Sequence, residues 1–238
     1  MKRALTISVI VNILFSLFGG YVIHKKGGID YLERKFKTTQ TTNKTQTGFG
    51  DYYEAKKQFF EAMPNDTNEI VFLGNSITEG CDFAELFRNS KIKNRGISGD
   101  IIEGVINRIN EVVESHPQKI FLLIGTNDLS RNKSINQILT DYERLISLII
   151  DKTPKTKLYI QSILPTHNQE TRKNDDIMKI NKGLIKLSEK YNLVFINLFE
   201  SFKNDNNELD LTYSYDGLHL NGNGYLLWKK VLENHLNN

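Results

Sequence analysis

The sequence predicts an α/β domain built on a parallel sheet with helices on both faces. Three observations point to it. Short apolar runs recur along the chain, at Ile70-Val71-Phe72-Leu73, Ile120-Phe121-Leu122-Leu123-Ile124, Lys157 to Gln161 and Leu193 to Ile196, with a weaker run at Lys91 to Asn94. The strongest of these runs lack polar alternation, the mark of a strand buried on both faces. Stretches with helical spacing separate them, so strand and helix alternate five times, which argues for parallel pairing under two helical layers.

Each helix has its own warrant. Tyr52 to Met63 carries a helical pattern that Pro64-Asn65-Asp66 ends. A helix is expected from Thr78 to Asn89. From Ile101 to Glu114, the spacing of Ile102, Val105, Ile106, Ile109, Val112 and Val113 makes one apolar face. Ser134 is placed to cap a helix running to Lys152, with Ile138, Leu139, Tyr142, Leu145, Ile146 and Ile149 on its buried side. Asp175 to Tyr191 and Gly222 to His235 complete the set.

Composition narrows the function classes. The 238 residues, 39% hydrophobic and 25% charged, suit one soluble domain with a short extra segment. The net charge of +3 is uneven. Residues 1–38 hold seven Lys/Arg against two Asp/Glu, which leaves −2 on the other 200 residues and speaks against a nucleic-acid groove. Cys81 is the one cysteine, the histidines are scattered and no HExxH occurs, so no disulfide, metal or cofactor site is expected. Gly222-Asn223-Gly224 opens a helix with no strand before it at the spacing a phosphate loop needs.

The N-terminus differs from the rest. Lys2 and Arg3 precede a mostly apolar run from Ala4 to Ile23, about the length of a membrane-spanning helix. Residues 1–26 are expected to be a membrane anchor or signal segment. Retention is favoured because no A-x-A-like cleavage site and no lipidation cysteine follow. Positive charges flank both ends of the run and do not fix its orientation; the folded domain is expected outside the cytoplasmic membrane, in a periplasmic or extracellular setting, with secretion after cleavage as the alternative. Residues 27–50, ending in a Thr-rich polar stretch, read as a linker, and residues 51–238 as the domain.

Four motifs follow strands: Gly74-Asn75-Ser76-Ile77-Thr78, Asn94-Arg95-Gly96-Ile97-Ser98-Gly99-Asp100, Gly125-Thr126-Asn127-Asp128 and Asp216-Gly217-Leu218-His219. In a parallel sheet all four fall beyond the carboxyl ends of the strands, where such folds bind ligands. Ser76 supplies a hydroxyl nucleophile, although a serine at a strand-to-helix turn is commonly a simple cap. His219 has Asp216 three residues earlier, close enough in a turn to orient the imidazole; the alternative is a solvated polar loop. His167 is the rival base. Gly99 and Asn127 can donate to an oxyanion, or can serve turn chemistry alone. Asp100 and Asp128 are expected to cap helices or turns, and Asn94 to hold the second loop in place.

The four blocks, in this order from Ile70 to the C-terminus, resemble the SGNH (GDSL-type) hydrolase superfamily, and the phrasing of the first two is similar to sialate O-acetylesterase-like and platelet-activating-factor acetylhydrolase subunit-like members. The resemblance implies a three-layer α/β/α sandwich, a flavodoxin-like five-stranded sheet of order 2-1-3-4-5, and no cofactor. It implies Ser76 as nucleophile, Asp216 and His219 as its triad partners, and the Ser76 N–H, Gly99 and Asn127 as the oxyanion hole. One departure is visible: the family usually has Asp where this chain has Asn75. The expected activity is hydrolysis of small acyl esters, O-acetyl above all, on a small-molecule or glycan substrate. A lysophospholipase or thioesterase is the alternative within catalysis, and a catalytically dead carbohydrate-binding module the alternative outside it. The loop from Ile163 to Asp175 is the expected substrate-selecting wall.

Overall fold

The structure, a computed structural model, describes residues 12, 16, 18, 20, 21, 23–30, 49–66 and 68–236. The chain divides into two units, Met1–Gly50 and Asp51–Asn238. In the first, residues 23–25 and 28–30 are helical, joined by a turn. Most of the apolar run from Ala4 to Ile23, and most of the expected linker, lie outside the described residues. Among the described residues no helix is long and apolar enough to cross a membrane.

The second unit opens with α1 (Asp51–Glu61), followed by β1 (Ile70–Gly74), α2 (Ser76–Glu79), α3 (Phe83–Phe87), β2 (Ile92–Gly96), α4 (Ile102–Arg108), α5 (Asn110–Val113), β3 (Lys119–Leu123) and α6 (Thr126–Ser130). Then come α7 (Ile135–Lys152), β4 (Lys157–Gln161), α8 (Asn174–Lys190), β5 (Val194–Ile196), α9 (Leu198–Phe202) and α10 (Gly222–Leu236). The five strands form one sheet in the order β2-β1-β3-β4-β5, every pair parallel. The parallel α/β architecture is the one the sequence pattern predicts, and the strand order is the one the family resemblance implies.

Two elements differ from the sequence reading. The helix expected from Thr78 to Asn89 is two short helices, because Gly80 closes α2 and Asp82 starts α3 by accepting from Glu85 N. The stretch from Ile101 to Glu114 divides at Ile109 into α4 and α5. The period of its apolar face survives, since Ile102, Val105, Ile109, Val112 and Val113 are all buried. Two five-residue helices, α6 and α9, were not expected; each is too short to show a period.

Side-chain alternation along the strands divides the core into two layers. Val71, Leu73, Ile120, Leu122, Leu158 and Ile160 point to one face and pack with α4, α5, α7 and α8. Ile70, Phe72, Phe121, Leu123, Tyr159 and Ile196 point to the other and pack with α2, α3, α9 and α10. This is why the strands read as unbroken apolar runs: period two fills both faces at once. On the second face Phe72, Phe121 and Tyr159 are register partners on adjacent strands. Their rings stack at 5.0 and 4.5 Å, and Phe83 stacks on Phe72 at 3.9 Å. Ser134 and Gln137 form a reciprocal capping box at the start of α7.

Phe121 is the middle ring of this row and is fully buried. Phe121→Ala should therefore destabilise the domain by about 3–5 kcal/mol. Urea denaturation should show a lower midpoint at unchanged slope.

Candidate active site

The strand ends bring the four motifs together. β1 lies between β2 and β3, with Gly74 paired to Gly96 on one side and Leu123 on the other. The turns that carry Ser76, Gly99 and Asn127 therefore leave neighbouring strands at the same edge. Close packing at Gly74 demands glycine, because a Cβ there would lie 2.4 Å from the Leu123 carbonyl oxygen. Asn75 caps α2, its Oδ1 accepting from Ile77 N at 3.0 Å. Ser76 is half-exposed, while Asn75, Ile77 and Thr78 around it are buried.

Ser76 Oγ lies 3.0 Å from His219 Nε2, although the two are 143 residues apart in sequence. His219 Nδ1 lies 2.6 Å from Asp216 Oδ2. An ionised carboxylate only accepts, so Nδ1 carries the proton and Nε2 of the neutral ring is left to accept from the serine hydroxyl. The other carboxylate oxygen, Oδ1, accepts from the backbone N–H of Leu218 and of His219 at 3.0 and 2.7 Å. Burial raises the Asp216 pKa, but the hydrogen bonds from His219 and Leu218 outweigh it and hold the carboxyl below its ordinary range. Ser214 closes the turn: its Oγ donates to His219 O at 2.7 Å and accepts from Gly217 N at 2.9 Å. Gly217 has φ +80°, and a Cβ on it would meet the His167 carbonyl at 2.3 Å.

His167, the rival base, is directed elsewhere. Its Nδ1 pairs with Glu208 at 3.0 Å and its Nε2 faces Asn168. Its backbone N–H donates to Gly217 O at 2.8 Å, so it supports the loop that carries His219. The Cys81 thiol is buried, and burial followed by the charge of Asp82 pushes its pKa up to about 12, which removes it as a nucleophile at neutral pH.

Gly99 has φ +77° and open space where a Cβ would stand. Glycine is thus required there by conformation rather than by crowding. Asn127 Nδ2 donates to Asp100 O at 2.9 Å, and its Oδ1 accepts from Arg172 Nη2 at 3.1 Å. Asn94 ties the first loop to the second: its Nδ2 donates to Thr78 O and Cys81 O at 2.7 Å each, and its Oδ1 accepts from Gly96 N at 2.8 Å. Glu79 reaches from α2 to Ser98 N at 2.8 Å and ties the first loop to the Gly99 turn.

The two aspartates do more than the capping expected of them. Asp100 accepts from Ile101 N, and its other oxygen forms a fully buried ion pair with Arg108 at 3.0 Å. Asp128 accepts from Ile102 N at 3.2 Å and so caps α4 from another element. Arg172, Ser214, Arg108 and Glu79 escaped sequence reasoning. None stands in one of the four motifs; Arg172, Arg108 and Glu79 reach partners distant in sequence, and Ser214 acts within its own turn.

A serine, a histidine and a carboxylate stand in line at the carboxyl edge of a parallel α/β sheet, an arrangement that acyl hydrolases use. The sequence comparisons agree. Residues 72–227 match the model of the GDSL-like Lipase/Acylhydrolase family, and the chain belongs to that family. Its enzymatic class is carboxylic ester hydrolase. A solved structure from Streptococcus pneumonia, provisionally described as a platelet activating factor, is 29% identical and covers 84% of this chain and 98% of its own, with a TM-score of 0.71. A GDSL-like lipase from Bacteroides thetaiotaomicron shares the fold at 22% identity and a TM-score of 0.66, covering 78% of this chain and 97% of its own. Among curated proteins, an N-acylneuraminate cytidylyltransferase of Escherichia coli is 27% identical over 178 residues, 72% of this chain. The match spans 40% of that protein's length, so the chain corresponds to less than half of it.

Asp128 gives the site a pH signature. Burial pushes its carboxyl up to about 6, against the opposing effects of the Ile102 N–H and the Lys133 charge. The folded state then holds more protons than the unfolded state between roughly pH 4 and 6, so this group's contribution to stability falls as pH rises through that window. The span is about 3 kcal/mol. Asp128→Asn should remove it. The stability difference between mutant and wild type, from urea denaturation at pH 4 and 7.5, should shift in the mutant's favour at the higher pH.

Proposed function

We propose that the protein is a serine esterase that removes small acyl groups, O-acetyl above all, from carbohydrates. The observation that carries the reading is the line Ser76 Oγ, His219 Nε2, His219 Nδ1, Asp216 Oδ2, with contacts of 3.0 and 2.6 Å. In this reading Ser76 Oγ attacks the ester carbonyl carbon as His219 Nε2 takes its proton. Asp216 keeps the ring in the correct tautomer and stabilises the imidazolium. The tetrahedral oxyanion accepts from the N–H groups of Ser76 and Gly99 and from the Asn127 amide. The C–O bond to the leaving alcohol breaks as His219 returns the proton. Water, deprotonated by the same histidine, then attacks the acyl-enzyme and releases the acid and free Ser76.

Support for a small acyl group comes from exposure. His219 and Asp216 side chains are 28% and 39% exposed, which fits an open site. Support for a sugar comes from the similarity to N-acylneuraminate cytidylyltransferases, which act on an acylated sugar by name. The placement of the domain outside the cytoplasmic membrane, held by the N-terminal segment, belongs to the same proposal and rests on the sequence.

Ser76→Ala should reduce p-nitrophenyl acetate turnover to background and abolish labelling by a fluorophosphonate probe. Wild-type turnover in that variant overturns the assignment. Asn127→Ala should lower kcat by roughly 10²–10³. Across p-nitrophenyl esters from C2 to C12, kcat/KM should fall with chain length; a rise would favour the lipid-directed alternative.

A further inference from the structure

We propose that Arg172 is a positioning residue that orients and polarises the Asn127 amide for oxyanion stabilisation. This rests on the esterase reading above and extends it to a residue outside all four motifs.

The argument begins with the amide. Asp100 O can only accept, and a guanidinium can only donate. The contacts of Asn127 to Asp100 O at 2.9 Å and to Arg172 Nη2 at 3.1 Å therefore admit one orientation, with Nδ2 toward Asp100 and Oδ1 toward Arg172. One of the two Nδ2 hydrogens is used by Asp100. The second is the one free to meet an oxyanion. Without Arg172, Oδ1 loses its partner and the amide loses the contact that holds this second hydrogen in place. A cation on the amide oxygen also draws electron density from the nitrogen, which makes the remaining N–H a stronger donor.

Arg172 is built for this contact. Among the described residues no carboxylate pairs with it, and its Nε is buried without a protein hydrogen-bond partner. Its charge is thus left uncompensated beside the proposed oxyanion hole, where a negative charge would form. The chain around it is held on both sides. Thr166 N donates to Asn174 Oδ1 and Asn174 Nδ2 donates to Thr166 O, both at 2.8 Å, closing the loop between β4 and α8. Inside that loop Thr166 Oγ1 donates to Arg172 O at 2.7 Å, and Arg172 N donates to Gln169 O at 3.0 Å. The expected substrate wall is therefore also a brace for Asn127.

The test is a double-mutant cycle on the full-length chain with p-nitrophenyl acetate, a neutral ester that offers no anion to an arginine. Arg172→Met should lower kcat by roughly 10- to 100-fold, a fraction of a whole oxyanion donor, with KM changed less than about threefold. Arg172→Lys should recover part of the loss, since lysine restores a donor and a charge. In the Asn127→Ala background, Arg172→Met should cost less than about threefold further, because the group it acts through is gone. Losses that multiply would overturn the proposal. So would wild-type kcat on the neutral ester with KM raised only for carboxylate-bearing esters, which would make Arg172 a reader of substrate charge. Thermal melting of each variant, with assays well below the lowest midpoint, separates unfolding from catalysis. A Ser76→Ala variant with wild-type turnover would instead bring down the esterase reading itself, independently of the cycle.

Discussion

The guanidinium of Arg108 is the interaction on which the reactive edge depends. The side chain is fully buried and makes four hydrogen bonds. Nε donates to Asp100 at 3.0 Å and Nη1 to Glu111 at 3.1 Å, while Nη2 donates to Gly74 O at 3.2 Å and Arg95 O at 2.8 Å. Gly74 stands two residues before Ser76, and Asp100 directly follows Gly99. One planar group thus fixes the distance between the turn that carries the serine and the turn that carries the glycine. Glu111 is shared with Arg95 at 3.0 Å, which extends the network to the last residues of β2. Removing one member would strand a buried charge, at a cost of about 3–5 kcal/mol. Hydrophobic side chains filling the same volume would avoid the desolvation cost, so the network is not by itself a source of net stability.

From that anchor the other parts are placed in turn. Asp100 O receives Asn127 Nδ2, so the carbonyl of the residue paired with Arg108 also locates the third motif. Asp128, next to Asn127, caps α4, the helix that contains Arg108. The second and third motifs therefore brace each other through side chains, with the sheet beneath them supplying only the register. The fourth motif is independent of this. Its turn is closed by Ser214, by the Asp216 carboxylate and by the His167–Gly217 backbone contact. The loop from β4 to α8 touches both halves, Asn127 through Arg172 and the Asp216 carbonyl through Gln169 at 3.4 Å.

What could be read from the sequence follows from the range of each interaction. The sheet was legible because its strands alternate into two apolar layers, and burial of both faces leaves a continuous run such as Ile120 to Ile124. The long helices were legible because caps and apolar spacing are local, as at Ser134 and Gln137. The break at Gly80 has a local marker, the glycine itself and the Asp82 cap, whereas the break at Ile109 has no side-chain cap to mark it. Ser76, His219 and Asp216 could be singled out by motif and order, although a distance of 3.0 Å across 143 residues is a property of the fold alone. Arg108 and Arg172 had no such marker. A single arginine in a helix or loop has the same local pattern whether it lies in solvent or against a distant amide.

The buried polar atoms left without a protein partner show where the fold yields to chemistry. Among the described residues they are Asn75 Nδ2, Thr78 Oγ1, Thr126 Oγ1, Gln161 Nε2, Arg172 Nε and the Tyr142 hydroxyl. All but Tyr142 stand at or beyond the carboxyl end of a strand. Native folds satisfy nearly all buried polar groups, and exceptions gather where function opposes stability. Asn75 makes the point at one position. Its oxygen caps α2, which an aspartate would do equally well, but at 0% exposure an aspartate would also bury a charge beside Ser76. Asparagine keeps the cap and avoids that charge, at the cost of an amide nitrogen with no protein acceptor.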